Sequence, residues 1–232
     1  MSKIEENVKS LAVIAHDLKA PLSAVVDLLN VVEKGYVDDP VKVLELITRA
    51  RKKSEGLIRI VEDILDYTLL ENKSQMKRER LNLIEIIDES YSIIEHYARQ
   101  NNISIHYSQG SCREKYVFGN YTFLLRAFNN VIMNAVKYNK ENGRIDIRCF
   151  EKFGRLIVVE ISDTGIGIPP EDIESIFTIF SRGKKARRNI DGSIGLGLSL
   201  VNQIIKDHEG SIDVDSTVGV GTTLTIKLPL MN

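Results

Sequence analysis

Asn130-Val131-Ile132-Met133-Asn134-Ala135-Val136-Lys137-Tyr138-Asn139 decides how the carboxyl-terminal half of this 232-residue chain is read. Leu124, Leu125, Phe128, Val131, Ile132 and Ala135 fall on one face of a helix expected from Tyr121 to Tyr138. Asn130 and Asn134 share a different face at i,i+4, and Lys137 follows about one turn later. A core-forming helix with such a stripe sets carboxamide oxygens beside an ammonium. Carboxamide oxygen suits Mg²⁺, a hard cation that keeps waters and phosphate oxygens in its shell, and the ammonium suits a phosphate. Standing alone, the same pair is equally at home on an ordinary surface helix.

Two later segments supply what a nucleotide site still lacks. Asp163-Thr164-Gly165-Ile166-Gly167 follows the apolar run Leu156 to Ile161, so its glycines let the backbone approach a ligand at a strand end. An Asp in that position can accept a hydrogen bond from an exocyclic amine such as that of adenine. Gly195-Leu196-Gly197-Leu198 opens a helical run from Ser199 to Lys206, whose amino end offers free backbone N–H groups to an anion. Between them, Phe177 to Phe180 is an apolar anchor, and Arg182 to Gly192 is a cationic, glycine-containing stretch that reads as a lid. Lys184, Lys185 and Arg187 in it read as solvated charge.

The flanking pattern predicts an α+β sandwich with helices on one face of an antiparallel sheet. Leu83 to Gln100 is helical, Ile103 to Tyr107 alternates as a strand, and Arg144 to Phe150 pairs with Leu156 to Ile161 through Lys152-Phe153-Gly154. Gly210 to Asp215 and Thr222 to Leu228 are further strands, turned by Gly219-Val220-Gly221.

The amino-terminal part has a different period. Leu11, Leu18, Val25 and Val32 recur every seven residues with Ile14 and Leu28 between them, and Val43, Ala50, Leu57 and Ile64 repeat the pattern with Leu46, Ile60 and Tyr67. Lys53 is the one break. Pro21 is expected to kink the first helix, and Gly35 with Asp38-Asp39-Pro40 reverses the chain. A lone helical hairpin cannot cover both apolar seams, so a homodimer forming a four-helix bundle is predicted. Asn72 to Arg80 has no apolar period. The expected division is 1–72 helical hairpin, 73–80 linker and 81–232 nucleotide domain.

Composition narrows the classes. Lys+Arg 31 against Asp+Glu 32 gives a formal net charge of -1, which provides no field for nucleic acid or an anionic membrane. Apolar runs such as Leu11 to Ala15 fall short of the roughly 20 residues that span a bilayer. The start shows no secretory signal, and nothing in the chain reads as sensory. A cytoplasmic location is expected, as the cytosolic part of a membrane receptor or as a subunit signalled by another protein. Cys112 and Cys149 lack metal-ligand spacing and read as buried thiols.

In this order, the segments resemble the N, G1, F, G2 and G3 boxes of bacterial sensor histidine kinases, and His16-Asp17-Leu18-Lys19-Ala20-Pro21-Leu22 resembles their H-box. The resemblance covers essentially the whole chain. It implies a dimerisation and phosphotransfer hairpin followed by a Bergerat-fold ATP-binding domain. It makes His16 the phosphoacceptor, exposed off the apolar tracks, with Asp17 holding its other N–H. It places Asn134 on Mg²⁺, Asn130 and Lys137 near the phosphates, and Tyr138 against the base. Asp163 would read adenine through N6, Gly165 and Gly167 would border the base, and Arg182 would reach the γ-phosphate. Gly195, Leu196, Gly197 and Leu198 would close over the triphosphate, and Gly221-Thr222-Thr223 would be the last turn of the pocket. Mg-ATP and a response-regulator receiver domain are the implied cofactor and partner. A Bergerat ATPase is the competing enzyme, disfavoured because Asn130 stands where those ATPases resemble one another in carrying a Glu base. A catalytically weak dimeric scaffold is the non-enzymatic alternative. Ala20 departs from the Thr or Asn of family members that dephosphorylate their regulator, so weak phosphatase activity is expected.

Overall fold

The computed structural model describes residues 3–71, 77–178 and 197–231, with side chains of the first helix described from residue 18 on. It separates a helical unit ending at Tyr67 from an α/β unit that starts at Thr68.

In the helical unit, α1 (Lys3–Glu33) passes through Pro21 as one helix, and α2 (Pro40–Glu71) follows. Pro21 removes one backbone donor without ending the helix, since that is a small loss against the rest of the element. Pro40 opens α2 where its absent N–H costs nothing, and Asp39 Oδ1 accepts the Val41 N–H at 2.9 Å. One apolar track is covered, with Val25, Ala50 and Ile60 buried. A second track, one residue out of step, is bare: Leu44, Ile47, Ile58, Val61 and Leu65 on α2 and Leu22, Val26 and Leu29 on α1 are all exposed.

The α/β unit runs β1 (Glu79–Asn82), α3 (Leu83–Gln100), β2 (Ser104–Ser108), β3 (Tyr116–Gly119), α4 (Tyr121–Lys137), β4 (Arg144–Lys152), β5 (Leu156–Asp163), α5 (Pro170–Ile173), α6 (Gly197–Asp207), β6 (Ser211–Thr217) and β7 (Gly221–Pro229). The main sheet has the order β2-β4-β5-β7-β6, and β1 pairs with β3 as a separate ribbon. Asn82 and Asn120 cap α3 and α4 by accepting the Ile84 and Phe123 N–H groups; each such cap stabilises by about 1 kcal/mol. Ile145, Ile147, Ile157, Ile161 and Ile226 from the sheet meet Ile86, Ile94, Leu124, Phe128, Ile132, Val201 and Ile204 from the helices in one core, all at 2% exposure or less.

Two expectations need correction. The sheet is mixed, because β2 pairs with β4 in parallel. The chain between those strands crosses over through α4, and such a connection delivers a strand in the same direction. Residues 79–80, expected in the linker, form the start of β1; a four-residue strand whose one buried side chain is Leu81 leaves no periodic trace. Cys112 and Cys149 are both buried.

His208 ties this unit together. Its Nδ1 donates to the Ile204 carbonyl at 2.7 Å, and its Nε2 accepts the Asn120 N–H at 2.9 Å, so the end of α6 is joined to the start of α4. Both partners are satisfied only by the neutral ring, and burial pushes the imidazole below its ordinary value of 6.5. The folded-state value is depressed, so this stability is present above the ordinary value and is lost as pH falls through the folded one. Unfolding midpoints of wild type and His208→Gln between pH 8 and pH 5 test this. Wild type loses stability below about pH 6.5 more steeply than the variant; parallel curves contradict the assignment.

Candidate functional site

The site grows from the end of α4. Leu124, Ala127, Phe128, Val131, Ile132, Ala135 and Val136 are buried, which turns Asn130, Asn134 and Lys137 to the half-exposed flank of the helix. Asn130 Nδ2 donates to the Arg126 carbonyl at 3.1 Å, so its oxygen is the end left for other partners. That oxygen faces Gly197, the first residue of α6: a Cβ built there would lie 3.0 Å from it. The carboxamide stripe and the amino end of α6 therefore adjoin. Lys137 Nζ stands 5.6 Å from the centre of the Tyr138 ring.

The carboxyl end of α4 is stitched to the loop after β5. Tyr138 closes the helix through its N–H on the Asn134 carbonyl at 2.9 Å, and its own carbonyl accepts the Ile166 N–H at 3.0 Å. Gly165 lies so close to that carbonyl that any Cβ would overlap it. Asn139 and Thr164 complete the seam. Thr164 Oγ1 donates to Asn139 Oδ1 at 3.2 Å and accepts the Arg144 N–H at 2.9 Å, and Asn139 Nδ2 donates to the Arg144 carbonyl at 3.2 Å.

Asp163 ends β5 inside this frame. Its Oδ1 accepts the Gly165 N–H at 2.8 Å and the Thr222 N–H at 3.2 Å. Among the described residues, nothing is seen to donate to Oδ2. Burial raises the Asp163 carboxyl above its ordinary value, and those two backbone donors pull it back in part. Gly221, at φ +146, runs against the Asp163 carbonyl with no room for a Cβ, which brings Thr222 beside the carboxylate.

The structure thus brings Asp163, Gly165, Tyr138 and Thr222 together at one end of the sheet, and Asn130 beside Gly197. Gly167, at φ +67, lies against the Thr217 carbonyl on the β6–β7 side of the loop, and Leu198 packs on the core from α6. His16 and Asp17 fall within α1, but their side chains lie outside the described residues, as do Arg182, Gly195, Leu196 and the whole of the expected lid. Phe177, the start of the anchor, packs against the core. Sequence reasoning missed Asn139, Thr164 and Ser216 as supporting residues. For Ser216 a signal existed: it continues the inward alternation of Ile212 and Val214, one residue past the expected strand end.

Two family models match the chain. Residues 119–232 match the model of the histidine kinase-, DNA gyrase B- and HSP90-like ATPases, and residues 7–73 match the His Kinase A phospho-acceptor domain. Drug sensory protein A of Synechocystis is 32% identical over 93% of this chain and 34% of its own length. The sensor histidine kinase WalK of Bacillus subtilis is 29% identical over 97% of the chain and 37% of its own length. The chain therefore spans about a third of the length of these curated relatives. Among solved structures, the mycobacterial sensor histidine kinase MprB is 30% identical, with a TM-score of 0.58, over 66% of this chain and 98% of that one. The histidine kinase ThkA, solved in complex with the response regulator protein TrrA, is 26% identical, with a TM-score of 0.76, over 98% of this chain and 64% of that one. With a phospho-acceptor helical region preceding an ATPase domain, and with likeness to solved histidine kinases, this chain belongs to the sensor histidine kinase family.

Proposed function

We propose that this chain is the ATP-dependent autokinase core of a two-component system, which phosphorylates His16 and passes the phosphoryl group to an aspartate of a response regulator. The observation that carries the reading is Asp163: a half-buried carboxylate at a strand end, with one oxygen fixed by two backbone N–H groups and the other left to accept an amine. Adenine offers such an amine at N6. In this reading Tyr138, Gly165, Gly167 and Thr222 would border the base, Asn130, Lys137, Gly197 and Leu198 would meet the phosphates, and Arg182, Gly195 and Leu196 would close over them.

The residues fit a magnesium nucleotide. Asn134 shares the flank of Asn130, whose amide nitrogen is occupied and whose oxygen is turned out, and carboxamide oxygens suit Mg²⁺. Asn134 would hold the ion. When bound, Mg²⁺ offsets charge on the phosphate oxygens. In the reaction, a neutral His16 imidazole nitrogen attacks the γ-phosphorus in line as the bond to the β–γ bridging oxygen breaks and ADP leaves, and Asp17 keeps the other ring N–H and steadies the developing positive charge. Arg182 offsets charge on the transferred group. Asn130 offers no carboxylate to activate water, which favours transfer over hydrolysis. Transfer onward to a receiver domain is supported by the ThkA structure, solved with a response regulator. Ala20, exposed on α1, has neither hydroxyl nor amide to hold a water, so phosphatase activity is weak.

The bare second track supports a homodimer. Leu44, Ile47, Ile58, Val61 and Leu65 recur at three- and four-residue steps around Arg51 and Ser54, with Ile58 at 59% exposure. A second hairpin covers this seam in a four-helix bundle. No described helix is long and apolar enough to cross a membrane.

Incubation with γ-labelled ATP and Mg²⁺ tests the reading. Wild type acquires acid-labile, base-stable label; His16→Gln acquires none, and Asn134→Ala loses more than about tenfold. Label retained in His16→Gln, or phosphate released at a rate indifferent to that substitution, contradicts it. For the dimer, light scattering gives twice the 26.2 kDa chain mass for wild type, and the paired change Ile58→Glu with Val61→Glu gives the single mass. A dimer that survives that pair of charges removes the seam from the interface.

A further inference from the structure

The chain has only two cysteines, and they meet. Cys149 lies on the core face of β4, in register with Val159 of β5, while Cys112 comes from the loop that joins β2 to β3. They are 1% and 0% exposed, and their thiols hydrogen-bond each other. The loop around Cys112 is held against β4. Gly110 lies so close to the Cys149 carbonyl that a Cβ there would overlap it, Ser111 Oγ accepts the Glu151 N–H at 3.3 Å, and Lys115 Nζ pairs with Glu151 at 2.5 Å. A disulfide requires such a close approach of two backbones. Small apolar residues would fill the same space without setting sulfur against sulfur.

The two thiols are not equivalent. Burial raises Cys112 above the ordinary thiol value, and its hydrogen bond with Cys149 pulls it back; burial raises Cys149, and the same hydrogen bond raises it further. Cys149 thus donates its S–H to a Cys112 thiolate, so Cys112 ionises first, and the thiolate is the nucleophilic form. Cys112 also has the looser backbone. Its N–H donates to the Gln109 carbonyl at 3.1 Å and its carbonyl accepts the Lys115 N–H at 3.0 Å, both within one loop. Such a turn opens without breaking the sheet, which admits a small oxidant to Cys112 while Cys149 stays in its strand.

We propose that Cys112 and Cys149 form a redox modification site, which hydrogen peroxide converts to an intramolecular disulfide. The Cys112 thiolate attacks one peroxide oxygen, the O–O bond breaks, and hydroxide leaves and takes up a proton as water, giving a sulfenic acid on Cys112. The Cys149 sulfur then attacks the Cys112 sulfur, loses its proton and displaces hydroxide, which departs as a second water. Two thiols are oxidised by two electrons, and one peroxide is reduced to two waters. The new bond closes a ring around β3 and α4, the helix that carries Asn130 and Asn134. A cross-link of this kind restrains the unfolded chain, so the oxidised protein unfolds at a higher temperature than the reduced one.

The test treats the reduced full chain with hydrogen peroxide, quenches with catalase and unfolds the protein in N-ethylmaleimide. Wild type then takes up no maleimide, is lighter than the reduced chain by two hydrogens, and yields a peptide pair that joins Cys112 to Cys149. Its unfolding midpoint rises with oxidation, and dithiothreitol returns both the thiols and the original midpoint. Cys112→Ser, which keeps the size of the side chain, forms no link, and peroxide leaves its midpoint where it was. Two thiols still open to maleimide after peroxide overturn the proposal, as do sulfurs that gain oxygen without joining and a link that forms between two chains. A linked chain that unfolds no later than the reduced one overturns it as well, since the bond would then distort the fold rather than fit it.

Discussion

A carboxylate partly withdrawn from water must be compensated, and at the half-buried Asp163 the compensation comes from backbone. The Gly165 and Thr222 N–H groups both donate to Oδ1, so one side chain joins the end of β5, the glycine loop after it and the start of β7. Those donors are available only because the chain comes unusually close on both sides. Gly165 nestles under the Tyr138 carbonyl, and Gly221 runs against the carbonyl of Asp163 itself. The compensation is incomplete, since burial still raises the carboxyl above its ordinary value. A group that costs stability in the free protein is better explained by what it binds than by what it holds up.

The surrounding polar contacts keep that carboxylate in a fixed frame. Asn139 and Thr164 lock the end of α4 to the same loop, so the helix bearing Asn130 and Asn134 and the strand bearing Asp163 do not drift independently. His208 fixes the other end of α4 to α6, the helix whose first residue faces Asn130. The carboxamide stripe of Asn130 and Asn134 thus sits on a helix whose carboxyl end is tied to the loop after β5 and whose amino end is tied to α6.

Much of this was legible in sequence where physics acts locally. The period of Leu83 to Gln100 marks α3 to the residue, and Phe153-Gly154 marks the hairpin between β4 and β5. The Asn130–Asn134 spacing gives the polar flank of α4 because the helical period alone sets it. Orientation and partnership are less visible. Nothing in Ser104 to Ser108 says that β2 runs parallel to β4, as the crossover through α4 decides it. Strands β1 and β3 are too short to show a period. The Asn139–Thr164 contact joins residues 25 apart, and Ser216 gains meaning only when β6 is laid beside Thr222. His16 and Asp17 stand out only by resemblance to the H-box, a pattern that local periodicity does not single out.

Asp163→Asn separates a part played by Asp163 in nucleotide binding from a part played in the fold. Asn keeps an oxygen for the two backbone donors and removes the buried charge. Because the folded carboxyl is raised, its stabilising, neutral form prevails below the ordinary carboxylate value and is lost as pH rises through the folded one, so at neutral pH the charge is a cost. The account predicts an unfolding midpoint at pH 7 equal to or above that of wild type, with ATP affinity reduced by about tenfold or more, the loss of a charge-assisted hydrogen bond. A variant that binds ATP as wild type does, or that loses affinity only in proportion to lost fold, contradicts it.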